Sequence, residues 1–208
     1  MKLIGSRARF AHDEFSDWDY VAETAADVET IERESPAWLC HTSAERGHLT
    51  ILTVVIANGA MHDYDIAHAN LRVPLVSARD TDGIQRFWVD NFRGLKAIAR
   101  SYSLLFDMGL ERCCGYLRGE VLKRELGTPD VCTFYTYGQH KNSISAFERG
   151  LADVTGLPYR TWKERVDKLR SLILLFETMF GHRPEIKSVF ETRLKKAIVA
   201  NKEAGGDT

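Results

Sequence analysis

The chain has 208 residues, of which 44% are hydrophobic and 27% charged, and 28 Lys and Arg against 29 Asp and Glu leave a formal net charge of −1. This composition supports a real core in one domain or two small ones, and it excludes low-complexity and disordered classes. It supplies no global positive field, so contact with RNA or DNA would need a local patch.

In chain order, Leu3 and Ile4 read as the end of a short buried strand. Gly5-Ser6 follows, a small-residue turn whose backbone N–H groups can approach a phosphate with no side chain in the way. After ten intervening residues comes Asp17-Trp18-Asp19, running into Tyr20 and Val21. Aromatic and β-branched residues favour a strand, on which residues two apart share a face, so both carboxylates point the same way. Such a pair of hard oxygen ligands suits Mg²⁺, which binds through one or two carboxylates plus substrate phosphates.

Beyond this, Ala25–Ser35 reads as a short acidic helix, and Ala37–Thr42 and Leu49–Ile56 as strands. Asn58-Gly59 marks a hairpin returning through a strand over Met61–Ala69. That strand carries Asp63 and Asp65 on one face, and His62 and His68 on the other. Pro74 and the polar run 77–83 read as a linker. Apolar residues then recur at helical spacing from Phe87 and Trp88 to Leu126, where Gly127-Thr128-Pro129 stops the pattern. The segment Val131–Tyr137 is ambiguous between strand and loop. Further helices are expected over Asn142–Val154, Tyr159–Phe180 and Pro184–Ala200, with Pro184 in a first turn and a frayed tail after it.

Cys40, Cys113, Cys114 and Cys132 lack zinc-ligand spacing, and the adjacent pair suits small apolar helix positions in a reducing compartment. No apolar run is long enough to span a bilayer, and no basic-then-apolar leader precedes the first strand. A cytoplasmic protein with no membrane partner is therefore expected.

The run from Leu3 to Asp19 resembles the signature of the DNA polymerase β-like nucleotidyltransferase superfamily: a hydrophobic residue, Gly-Gly or Gly-Ser, a spacer, then Asp-hydrophobic-Asp or Asp-hydrophobic-Glu. It is most similar to the form in antibiotic adenylyltransferases and small stand-alone relatives, where Gly-Ser-Arg-Ala-Arg, here Gly5 to Arg9, precedes Ser-Asp-x-Asp, here Ser16 to Asp19. One position departs, since those relatives carry a second glycine after the arginine where this chain has Phe10. A looser similarity joins Arg86-Phe87-Trp88 and Lys96 to Arg100 with the helix that follows the catalytic domain in aminoglycoside and lincosamide nucleotidyltransferases.

The resemblance implies an α/β (α+β) fold, with a small mixed-sheet nucleotidyltransferase domain over residues 1–80 and an all-helical C-terminal domain over residues 84–208. It implies transfer of an NMP, AMP from ATP being favoured, to an acceptor hydroxyl with two Mg²⁺ ions, and a third carboxylate from a later strand. Tyr64-Asp65-Ile66 fits the hydrophobic-Asp-hydrophobic pattern for that group, with Asp63 as the alternative. Gly5, Ser6 and Arg7 would meet the triphosphate; Lys96, Arg100 and Lys141 are further phosphate-binding candidates, reaching across an interdomain cleft. A small polyhydroxylated acceptor is favoured over a tRNA end or a protein hydroxyl of the toxin-antitoxin kind, and a non-catalytic nucleotide-binding module is the alternative of a different class. Phe87, Trp88 and Tyr102 read as core aromatics or as stacking surfaces for a base.

Overall fold

A computed structural model describes residues 1–24, 27, 39–45, 48–55, 58–65, 83–126 and 141–206. Its strands are β1 (Lys2–Ile4), β2 (Trp18–Val21), β3 (Leu39–Glu45), β4 (His48–Val55) and β5 (Met61–Asp65). Its helices are α1 (Gly5–Ala8), α2 (Gly83–Ala99), α3 (Ser103–Leu126), α4 (Lys141–Gly156), α5 (Trp162–Phe180) and α6 (Pro184–Glu203). The expected mixed α/β class is therefore found, with more helix than strand. The acidic helix over Ala25–Ser35 apart from Asp27, the linker up to residue 82, the segment Val131–Tyr137 and the far end of the Met61–Ala69 strand lie outside the described residues, as does His68.

The five strands form one mixed sheet in the order β1-β2-β5-β4-β3. Strand β2 lies between an antiparallel β1 and a parallel β5, and β5, β4 and β3 continue as antiparallel neighbours. The turn predicted at Asn58-Gly59 is present: the Asn58 side chain accepts from the Ala60 N–H at 2.8 Å, and Gly59 has φ of 77°, which a glycine adopts without strain. Val55 and Met61 close the β4–β5 pair on either side of it.

Two compact units divide the chain at Met1–Lys96 and Ala97–Thr208. The sequence reading draws its boundary near residues 80–84; in the structure Gly83–Lys96 of α2 falls in the first unit. Within α2, Phe87, Trp88, Val89, Phe92 and Leu95 are buried, following the helical period seen in the sequence. Phe87 and Trp88 are fully buried and meet edge to face at 5.8 Å, so they are core residues and offer no surface to a base.

In the second unit, buried stripes recur on every helix: Leu110, Cys113, Cys114, Leu117 and Val121 on α3; Ile144, Phe147 and Leu151 on α4; Leu169, Leu172, Ile173 and Phe176 on α5; Phe190, Leu194 and Ala197 on α6. Cys113 and Cys114 are buried and form no disulfide, as small apolar helix residues. Helix α5 begins with a capping box, Thr161 accepting from the Glu164 N–H while Glu164 accepts from the Thr161 N–H. Pro184 occupies the first turn of α6, where its missing N–H leaves no hydrogen bond unmade.

The helical run expected from Phe87 to Leu126 is broken between α2 and α3. Ser101, with φ of 59°, donates its N–H to Ile98, and Tyr102 donates to Ala97: a Schellman turn with no glycine in it. The fully buried Asn201 holds this turn, its Nδ2 donating to the Ile98 carbonyl at 2.8 Å and to Ser101 Oγ at 2.9 Å. A second Schellman turn ends α6, where Gly205, with φ of 84°, donates to Lys202 and Gly206 to Asn201. Residues 205 and 206 are thus ordered by hydrogen bonds, where the sequence reading expects a frayed tail. No helix among the described residues is long and apolar enough to cross a membrane.

Candidate metal centre

Strands β2 and β5 run parallel in a register that sets Asp19 directly opposite Asp63 and Val21 opposite Asp65. Neighbouring strands lie about 4.8 Å apart and paired residues share a face, so Asp19 and Asp63 are brought together by the ladder itself. Asp17 stands just ahead of β2 on the same side. Asp17, Asp19 and Asp63 each present a carboxylate oxygen within 4.8 Å of the others. Asp65 is not in this group. It shares the face but sits one strand repeat further on, so of the two carboxylates read from the sequence the register brings Asp63, the alternative, together with Asp17 and Asp19.

Helix α1 fixes Asp19 from the other side. Gly5 follows Ile4, the register partner of Asp19, and has φ of 71°. A Cβ at Gly5 would land on Asp19 Oδ2 and lie 2.9 Å from its Cγ, so only glycine fits there. The small residue of the Gly-Ser pair therefore serves close approach of the backbone to the Asp19 carboxylate. Ser6 continues the same single turn, which ends at a third Schellman arrangement: Phe10 donates to Arg7, Ala11 to Ser6, and Phe10 adopts φ of 55°. Position 10, where the resemblance leads one to expect a second glycine, is thus a left-handed backbone position, held here by a phenylalanine that is 90% exposed.

Arg7 is engaged by the segment that leads into β2. Its Nε and Nη2 donate to the Ser16 carbonyl at 3.1 and 2.8 Å, and its guanidinium lies 4.2 Å from the centre of the Trp18 ring. Ser16 is buried, and its hydroxyl joins Asp13 in a local turn: Asp13 Oδ1 accepts from the Phe15 N–H and from Ser16 Oγ, which itself accepts from the Asp13 N–H. Together these bonds fix the backbone that delivers Asp17.

On the opposite face of β2 and β5, Trp18, Tyr20, His62 and Tyr64 stack with ring centroids 5.3 to 6.5 Å apart. His62 therefore belongs to an aromatic ladder and not to the carboxylates, as strand alternation predicts. Burial, aided by the Arg7 charge, lowers its pKa below the usual histidine value.

Two cations from α2 meet the acidic group. Lys96 Nζ donates to Asp17 Oδ2 at 2.7 Å, and Arg93 Nη2 lies 3.5 Å from Asp63 Oδ1. Arg93 Nη1 is also 3.4 Å from Asp90 Oδ1, on a side chain only 4% exposed. Burial raises the pKa of Asp19 above the usual carboxylate range, the Asp17 and Asp63 charges raise it further, and Lys96 and Arg7 oppose them.

Of the expected phosphate contacts, Gly5 and Lys96 lie at the carboxylates, and Ser6 is the next residue of α1. Arg100 follows the last residue of α2 and Lys141 opens α4, both in the second unit. Arg93 is missed by reading Lys96 with Arg100. The signal was its place three residues before Lys96 on the same helical face. Set against protein-family models, curated proteins and solved structures, the chain matches none of them.

Proposed function

We propose that the protein is a metal-dependent nucleotidyltransferase that moves an NMP, AMP from ATP being favoured, to an acceptor hydroxyl. The observation that carries this reading is the convergence of Asp17, Asp19 and Asp63 against a glycine whose missing side chain makes room for Asp19. The donor set fits Mg²⁺: three carboxylates offer hard oxygens whose mutual separations suit shared coordination, with the remaining positions left to water and phosphate. Bound there, divalent cations would stabilise charge on the attacking and leaving oxygens of an in-line displacement.

The chain's own contribution is placement. Asp17 and Asp19 hold the metal side, and Asp63 takes the place of the third carboxylate, as a ligand or as the base that accepts the acceptor hydroxyl's proton. The acceptor oxygen bonds to the α-phosphorus as the bond to the pyrophosphate leaving group breaks. Gly5 and Ser6 present backbone N–H groups to the outer phosphates, and Lys96 supplies positive charge. A small polyhydroxylated acceptor is favoured, because a net charge of −1 gives no general attraction for RNA.

One observation favours a different reading, a purely structural charge cluster: Lys96 and Arg93 already pair with two of the three carboxylates. Incubation with each α-phosphate-labelled NTP, Mg²⁺ and a panel of aminoglycosides, tRNA and protein acceptors separates the two. Nucleotidyl transfer gives labelled product and pyrophosphate; label that stays in NTP under every condition favours the structural cluster.

A further inference from the structure

Arg93 and Lys96 project from one face of α2, a single turn apart, and each engages a different carboxylate of the group. Their side chains are 34% and 32% exposed, so both have water beside them and room to move. We infer that Arg93 and Lys96 form a triphosphate clamp that is parked on Asp63 and Asp17, and that it transfers to the nucleotide's phosphates when the carboxylates take up divalent metal. The inference rests on the metal-site reading above and adds to it a second phosphate-binding residue, Arg93, and an ordered exchange of partners.

Chemical exclusivity supports the exchange. The Lys96 ammonium occupies Asp17 Oδ2 at hydrogen-bond distance, and a divalent cation on that oxygen would face an adjacent like charge. The same metal arrives with a polyanion, which offers both cations stronger, charge-assisted partners. Arg93 is arranged for a partial release. Its contact with Asp63, at 3.5 Å, is an ion pair longer than a good hydrogen bond, while its other edge faces Asp90 at 3.4 Å. Asp90 lies on the same helix and is buried, so it can keep hold of the guanidinium while the edge facing Asp63 turns to phosphate. A lysine and an arginine three apart on one rigid helix would move together, which makes metal and triphosphate bind cooperatively.

Mn²⁺ binding measured by electron paramagnetic resonance, first alone and then with a non-hydrolysable ATP analogue, tests the exchange on the full chain. Lys96→Met should bind Mn²⁺ alone about threefold more tightly than the wild type, the scale of a part-exposed ion pair. With Mn²⁺ saturating, both Lys96→Met and Arg93→Met should bind the analogue about tenfold more weakly, given screening by water. Lys2→Met removes an equal charge from an exposed position of β1 and should alter neither affinity. Lys96→Arg keeps the charge and should stay near the wild type, which separates the exchange from misfolding. If Lys96→Met leaves Mn²⁺ affinity unchanged or weaker, or Lys2→Met tightens it equally, the exchange is overturned while the metal site stands. If Asp17→Asn and Asp63→Asn leave Mn²⁺ binding intact, the metal-site reading falls and the exchange with it.

Discussion

Gly5 and Asp19 are the residues on which the geometry of the carboxylate group turns. Gly5 combines a left-handed backbone with a position where any Cβ would displace the Asp19 carboxylate. Gly5→Ala should therefore cost about 1–2 kcal/mol from backbone strain alone, and it should weaken Mg²⁺-dependent thermal stabilisation more than a remote change of equal cost. Melting curves with and without Mg²⁺ check both. Phe10 reverses the argument: its left-handed backbone is strained and its ring is almost wholly exposed, so it gains little from burial. Relief of about 1–2 kcal/mol is offset by about 0.5–1 kcal/mol of extra chain freedom, so Phe10→Gly should leave the melting temperature unchanged or raised. The same residue scale shows what was legible. The Gly-Ser and Asp-x-Asp residues announce themselves, because their chemistry is tied to close spacing. Asp63 against Asp65 did not, since both lie on one face and only the β2–β5 register distinguishes them.

At the scale of elements, helical periodicity located the helices, and the residues that end them decided how well their bounds could be read. Pro184 marks the start of α6 in the sequence, and the structure places it there. The α2–α3 break was invisible, because Ser101 takes the left-handed position that glycine normally signals and is held there by Asn201, 100 residues away. A long-range hydrogen bond leaves no local trace. Asn201→Ala should accordingly cost about 1–3 kcal/mol, the penalty for removing a buried partner, and chemical denaturation would measure it. The capping box of α5 is local and smaller in effect: Thr161→Ala should cost about 1 kcal/mol and leave metal binding untouched. A loss of Mn²⁺ affinity in that variant would mean that the helical unit supports the carboxylates in a way their contacts within the first unit do not account for.

Across the whole molecule, pH and metal should act through different units. In the second unit, Glu177 is buried, which raises its pKa, but a hydrogen bond from Lys187 Nζ at 2.6 Å and the His182 ring 3.1 Å from its other oxygen outweigh burial and hold it below the usual glutamate value. A lowered folded pKa contributes stability that is present above the unfolded value, about 4.3, and is lost as pH falls through the folded one. Lys187→Met should thus destabilise the protein near neutral pH, and the gap in melting temperature from the wild type should narrow as pH drops below about 4. In the first unit, Asp19 carries an unfavourable charge when no metal is present. Asp19→Asn should then raise the metal-free melting temperature at neutral pH while abolishing the rise that Mg²⁺ gives the wild type. Asp17, Asp19 and Asp63, without Asp65, are the carboxylates proposed to hold the metal. Mn²⁺ titration of the four single Asp→Asn variants tests this assignment without knowledge of the acceptor. Asp17→Asn, Asp19→Asn and Asp63→Asn should each lose about tenfold or more in affinity, with Asp65→Asn binding like the wild type. A loss in Asp65→Asn equal to that in Asp63→Asn, or unchanged binding in all four, would contradict the assignment.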